Sequence, residues 1–220
     1  MTAAMPVCSH LVMTMRPPEL QHLTDRLEVA LDARLETGPA RDLASVVFAA
    51  LRRPATAGDS MPQRLPVCDQ FDRALDRVCS QGGSLAELGL ALKSVDPVLS
   101  WERRPTATPG DGGFYDGHAN ATIVGPQGIE RRDDVWIGVS LMAPHVTYPE
   151  HHHPPAEIYI ALSPGAWRHG GSDWFTPGIG GLIYNVADTP HAMRAGPEPL
   201  LAIWCLWTGK SQVWPRTAPP

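Results

Sequence analysis

His151, His153, Glu157 and Tyr159 fall within nine residues, in the run YPEHHHPPAEIYIALSPG from Tyr148 to Gly165. Two imidazoles, a carboxylate and a phenol at this spacing form a set suited to metal binding and proton transfer. Side chains two apart on an extended chain share a face, so His151 and His153 point one way and His152 the other. Glu157 and Tyr159 make a second such pair, and Pro154 and Pro155 keep the backbone between the pairs out of a helix. A bulge near Pro154 would shift the register and put His152 in the place of His151. Imidazole nitrogen with carboxylate oxygen suits one divalent transition ion, Fe, Zn, Mn, Ni or Co. His191, in NVADTPHAMRAG, follows a proline turn and opens another strand-like run. It completes the ligand set if that run faces the first across a barrel.

The elements that must position these residues change character along the chain. Before Pro105 the apolar period is helical: Leu20, Leu23, Leu27, Leu31 and Leu35 recur at steps of three and four, just after Pro17 and Pro18. RDLASVVFAALRR follows the break at Gly38-Pro39, and QFDRALDRVCSQ ends at Gly82-Gly83. SLAELGLALKSV places Ser84 and Glu87 at the spacing of a capping box. About four helices are expected. After Pro105 come short apolar runs (ATIVG, VWIGVSLMAP, EIYIALSP, GLIYNV, HAMRAG, PLLAIWCLW) separated by glycine and proline. Such runs predict a β-sandwich or barrel. The expected architecture is mainly β: a helical N-terminal region over residues 1–104, then a β-barrel carrying the metal site over 105–220.

Composition narrows the function classes. The 220 residues are 43% hydrophobic and 19% charged, enough for a sizeable core in one domain with an elaborated end. The net charge of -5 and the lack of a basic recognition helix argue against nucleic acid as a partner. No apolar stretch approaches the ~20 residues of a membrane span. The N-terminal MTAAMPVCSHLVMTMRPPEL lacks the pattern of a signal peptide. Cys8, Cys68, Cys79 and Cys205 form no CxxC pair and read as reduced thiols. A cytoplasmic protein is expected. His10 and His22 are isolated, and His118, His145 and His169 read as surface residues.

The H-x-H-x3-E core, His151, His153 and Glu157, resembles the first motif of the cupin superfamily, small barrels of the double-stranded β-helix type. GGLIYNVADTPHAMRA resembles the second motif at Gly180 and His191. It departs from it at Val186, Asp188 and Ala195, where that motif has proline, glycine and asparagine. Pro164 stands at the closing glycine of the first motif. The longer pattern Y-P-E-H-x-H-P-x-A-E-x-Y is similar to the cupin dimethylsulfoniopropionate lyases of marine bacteria, which also carry a helical region before the barrel. That resemblance implies β-elimination on a small zwitterionic substrate, giving dimethyl sulfide and acrylate. It implies a metal that acidifies the Cα–H beside the substrate carboxylate, with Tyr159 as the expected base and Tyr148 as the second candidate. A dimethylsulfonium group has no N–H or O–H to donate and is best held by aromatic faces. Tyr184 and Trp204 are the expected contacts among Trp136, Trp167, Trp174, Trp207 and Trp214. A homodimer is also in keeping with the resemblance.

Two alternatives stand beside the lyase: another metal-dependent cupin enzyme, a dioxygenase or isomerase, and a non-catalytic cupin that binds a small ligand. An isomerase of phosphorylated sugars needs Lys and Arg around its pocket. Arg131, Arg132, Arg168, Arg194, Lys210 and Arg216 instead fall mostly in turns or near the tail.

Overall fold

The structure is a computed structural model that describes residues 15–111 and 113–209; Cys8, His10, Lys210, Trp214 and Arg216 lie outside the described residues. Four helices form where the leucine spacing puts them: α1 (Pro18–Asp32), α2 (Pro39–Leu51), α3 (Phe71–Cys79) and α4 (Gly83–Val95). α1 and α2 both carry proline in the first turn, where a missing N–H breaks no helical bond. The expected capping box does not form. The N-cap of α4 is Gly82, with no side-chain cap, and Glu87 instead accepts a hydrogen bond from Arg26 of α1 at 2.9 Å. None of the described helices is long and apolar enough to cross a membrane.

The strands are β1 (Thr56–Ala57), β2 (Trp101–Glu102), β3 (His118–Val124), β4 (Glu130–Arg131), β5 (Val135–Met142) and β6 (Thr147–His151). They continue with β7 (Glu157–Ala161), β8 (Ala166–His169), β9 (Leu182–Asn185), β10 (His191–Arg194) and β11 (Leu200–Trp207). A short helix, α5 (Phe114–Gly117), leads into β3. The large sheet has the order β1-β4-β3-β5-β11-β7-β9, with β2 pairing β3; the small sheet has the order β6-β10-β8.

Alternation along the long strands feeds two separate cores. Val135, Ile137, Val139 and Leu141 of β5, with Ile158 and Ile160 of β7, pack on the helices. Met142, Tyr159, Ala161 and Ala202 point the other way and meet Tyr148, Trp167 and Met193 of the small sheet. The two sheets are therefore the walls of a barrel, and the large sheet is buried on both faces. Burial on both faces is why EIYIA and LLAIWCLW read as nearly continuous apolar runs.

A buried ionic cluster fastens α2 to β4. Arg16 Nε lies 2.5 Å from Glu130 Oε2, both side chains 2% exposed. Arg16 also donates to the Leu51 carbonyl at 2.8 Å. Arg132 donates to the other Glu130 oxygen at 3.0 Å and to the Ala50 carbonyl at 3.1 Å.

Candidate metal centre

The site begins with an irregularity of pairing. His191 lies opposite His151 and Met193 opposite Tyr148, so β6 carries one residue more than β10 between these pairs. This bulge turns both Tyr148 and His151 to the interior, which strict alternation would forbid for residues three apart. β6 ends at His151, and the turn through Pro154 and Pro155 carries His153 back to Glu157 at the start of β7. His153 is thus placed by a turn and not by strand alternation; its carbonyl accepts the Asp188 N–H at 3.0 Å. His152 is exposed. The bulge keeps His151, and not His152, on the inside.

His191 follows a tight turn in which Asp188 has φ 60°. Asp188 occupies the position where the second cupin motif has glycine, and aspartate tolerates the left-handed region better than most residues.

The three inward histidines share one tautomer. Nδ1 of His151 lies 2.9 Å from the Pro149 carbonyl, that of His153 2.8 Å from Pro155, and that of His191 2.9 Å from Thr189. A carbonyl only accepts, so each Nδ1 carries a proton, and Nε2 is the nitrogen left for a metal in the neutral ring. Nε2 of His153 and of His191 both lie 3.3 Å from Glu157 Oε2. One ligand atom from each of these three residues falls within a 4.8 Å group. His151 adjoins them, its ring 4.2 Å from that of His191 and 6.2 Å from that of His153. Asn185 holds the same Glu157 oxygen with a 3.0 Å hydrogen bond. His191 Nε2 is buried with no hydrogen-bond partner among the described residues. A buried lone pair of that kind is unfavourable until a cation meets it.

Electrostatics keep Glu157 ionised and His151 neutral. Burial works to raise the Glu157 carboxyl, but the adjoining His153 and His191 imidazoles outweigh it and hold it at about 2. Burial, helped by the neighbouring His191, pushes His151 down to about 3. Burial disfavours charge on His153 too, yet the Glu157 pairing prevails and raises that imidazole. Burial raises both phenols, and Tyr159, beside the Glu157 carboxylate, goes well above the ordinary tyrosine range.

His151, His153, Glu157 and the two phenols open on a cavity of about 330 Å³, with His191 packed behind them. Tyr148, Tyr159, Trp136 and Trp204 provide its aromatic walls, and Arg104, Asn120 and Ser140 its polar side. The Trp204 indole lies over Gly138; a Cβ there would stand 2.1 Å from the ring, so only glycine leaves it room. A hydrogen-bond chain crosses the floor of the large sheet. Trp204 Nε1 donates to Ser140 Oγ at 3.2 Å, Ser140 to Asn120 Oδ1 at 2.8 Å, and Asn120 Nδ2 to the Tyr148 oxygen at 3.2 Å. Tyr148 therefore accepts from Asn120, and its own O–H is left for the cavity.

Two expectations are corrected. Tyr184 is opposite Ile158 on β9 and packs on the helix side of the large sheet, so alternation takes it out of the cavity. His118 is not a surface residue: it is 1% exposed and stacked on Phe114 with ring centroids 3.6 Å apart. Arg104, Asn120 and Ser140 escaped the sequence reading, and Trp136 was passed over in favour of Tyr184. Asn120, Trp136 and Ser140 sit at alternate positions in β3 and β5, a pattern that in a one-layer sheet means solvent. Here helices cover the apolar face, and the polar positions line the interior. Arg104 follows β2 in a loop, where no periodicity marks it.

Two facing sheets enclosing a His-His-Glu group able to hold a metal ion define a cupin barrel. The chain belongs to the dimethylsulfoniopropionate lyase family, whose model matches residues 40–202. It is 30% identical over 155 residues to a Cereibacter sphaeroides protein assigned as dimethylsulfoniopropionate lyase DddL, covering 70% of this chain and 64% of that one. The chain thus spans just under two thirds of the length of that relative. It is 25% identical over 204 residues to dimethylsulfoniopropionate lyase DddQ of Ruegeria pomeroyi, covering 92% and 96% of the two chains. In fold it is similar to the crystal structure of the Ruegeria pomeroyi DddQ, with a TM-score of 0.70, 22% identity and coverage of 89% and 93%. A second similar crystal structure, from a study of the DMSP lyases RdDddP and RnDddQII, has a TM-score of 0.63 at 22% identity, covering 88% of this chain and 94% of that one.

Proposed function

We propose that the protein is a metal-dependent lyase that cleaves dimethylsulfoniopropionate to dimethyl sulfide and acrylate. The observation that carries this reading is the grouping of Nδ1-anchored histidines with Glu157, of which His151, His153 and Glu157 line a cavity that also presents two phenols and two indoles. His151, His153, Glu157 and His191 would hold one divalent transition ion. Bound there, such an ion supplies Lewis acidity toward the substrate carboxylate and offsets the Glu157 charge that raises Tyr159.

Tyr159 acts as the base. It removes a proton from the carbon beside the carboxylate, the C–H electron pair becomes the C=C bond of acrylate, and the C–S bond breaks with its pair on sulfur. Dimethyl sulfide leaves neutral, so no acid is required, and the proton ends on the phenol. Tyr148, with its oxygen held by Asn120, contacts the substrate through its free O–H. Trp204 and Trp136 offer π faces to the sulfonium, each worth about 0.5–2 kcal/mol.

The test is product analysis on purified, metal-loaded protein given dimethylsulfoniopropionate. Dimethyl sulfide and acrylate should form in equal amounts without oxygen uptake. Oxygen consumption would move the chain to the dioxygenases, and binding without turnover to the ligand-binding cupins.

A further inference from the structure

We infer that Arg104 is the carboxylate receptor of the cavity, its guanidinium and the Tyr148 hydroxyl together seating the anionic end of a small substrate. The substrate's identity rests on the lyase reading; the charge that Arg104 recognises does not.

Arg104 is the one lysine or arginine among the residues that line the cavity. Its backbone is clamped there. The Arg104 N–H donates to His118 Nε2 at 2.9 Å, and His118 Nδ1 donates to the Phe114 carbonyl at 2.5 Å. This arrangement gives the buried His118 a task that no surface histidine could perform. It fixes the residue that carries the cation.

The guanidinium lies 5.4 Å from the centre of the Tyr148 ring, and that ring is 4.7 Å from His151. The cation is therefore one aromatic ring away from the proposed ligand set. Its neighbour Arg103 is already committed, bonded to the Tyr115 carbonyl and paired with Asp116. Arg16, Arg132 and Arg168 each have a carboxylate partner, whereas Arg104 forms no ion pair with the described residues. A guanidinium is a fork of donors matched to a carboxylate, and one without an ion-pair partner beside a cavity walled largely by aromatic rings favours an anion arriving from outside.

The cavity is polarised as a result. Arg104 and Tyr148 supply donors to the cavity, and Trp204 and Trp136 supply indole faces. A zwitterion with a carboxylate at one end and an onium at the other matches both, and repulsion from Arg104 fixes which way round it enters. A cation that lacks the carboxylate meets only repulsion there.

The test uses metal-loaded protein and three probes: acrylate, dimethylsulfoniopropionate and the methyl ester of dimethylsulfoniopropionate. Binding is followed by calorimetry or by quenching of the tryptophan fluorescence. Arg104→Gln should weaken acrylate and the zwitterion by about 10- to 150-fold, the range for hydrogen bonds to a charged group. The ester, freed of the repulsion, should bind Arg104→Gln at least as well as wild type, so discrimination between zwitterion and ester falls by at least the same factor. Arg104→Lys should retain part of the affinity. Loss of affinity should appear mainly in KM, with kcat changed less. Unchanged discrimination in Arg104→Gln of wild-type melting temperature and metal content would overturn the inference, because the metal alone would then account for carboxylate binding. If wild-type protein fails to turn the substrate over but binds acrylate through Arg104, the lyase reading falls and the receptor stands. If turnover is normal and Arg104→Gln leaves KM unmoved, the receptor falls and the lyase stands.

Discussion

A histidine does not decide by itself which ring nitrogen is free to ligate. Here three backbone carbonyls decide it, at Pro149, Pro155 and Thr189. Protons then compete with metal more at His153 than at Glu157 or His151, because Glu157 lies near 2 and His151 near 3, whereas Glu157 raises His153. Metal affinity should fall as pH drops below the raised pKa of His153, with a proton leaving that imidazole as the ion binds. Calorimetry in buffers of different ionisation heat reads that proton directly, and zero protons released at about pH 6 would count against His153 as a ligand. Tyr159→Phe should lower kcat by about 10²- to 10⁴-fold, the usual weight of a general base, while Tyr148→Phe acts mainly on KM. The reverse pattern in steady-state kinetics would make Tyr148 the base. The clustering of His153, Glu157 and His191 was readable in the sequence because their spacing is a motif. The reason they converge was not, since His153 arrives by a proline turn. The tautomers were not readable either, because carbonyl partners leave no mark on residue types.

At the scale of elements, one bulge and one turn aim the site. The bulge in β6 brings Tyr148 and His151 to the same side, and the turn at Asp188 presents His191. Asp188→Gly should be tolerated, or stabilise by up to about 1 kcal/mol, because glycine enters the left-handed region without penalty. Asp188→Val should cost about 1–3 kcal/mol, since a β-branched residue resists positive φ, and should lower metal content as His191 moves. Thermal melts and metal analysis of the two variants check both directions. The four helices followed directly from their leucine spacing, whereas the capping box did not. Glu87 found a better partner in Arg26, across a helix contact that no local motif encodes. Tyr184 misled for a related reason: its face of β9 is set by the register with β7, and a tyrosine suits either side.

Across the whole molecule, the large sheet separates two cores of different purpose. Its apolar face holds the helices, and its other face carries Asn120, Ser140, Glu157 and Tyr159 into the cavity. The helices thus supply the burial that lets the barrel keep a polar interior. Arg16, Glu130 and Arg132 fasten the two parts together, and Glu130→Gln would leave Arg16 buried beside a neutral amide. That change should cost about 3–5 kcal/mol, read as a lowered denaturation midpoint with the product ratio unaltered. The central claim is that a metal held by His151, His153, Glu157 and His191 drives the elimination. The most direct test is to strip the protein with a chelator, return a divalent transition ion in steps, and measure dimethyl sulfide release against metal bound per chain. The account predicts no release from stripped protein and a rise that levels off at one ion per chain. Full release from protein shown to be metal-free would contradict it.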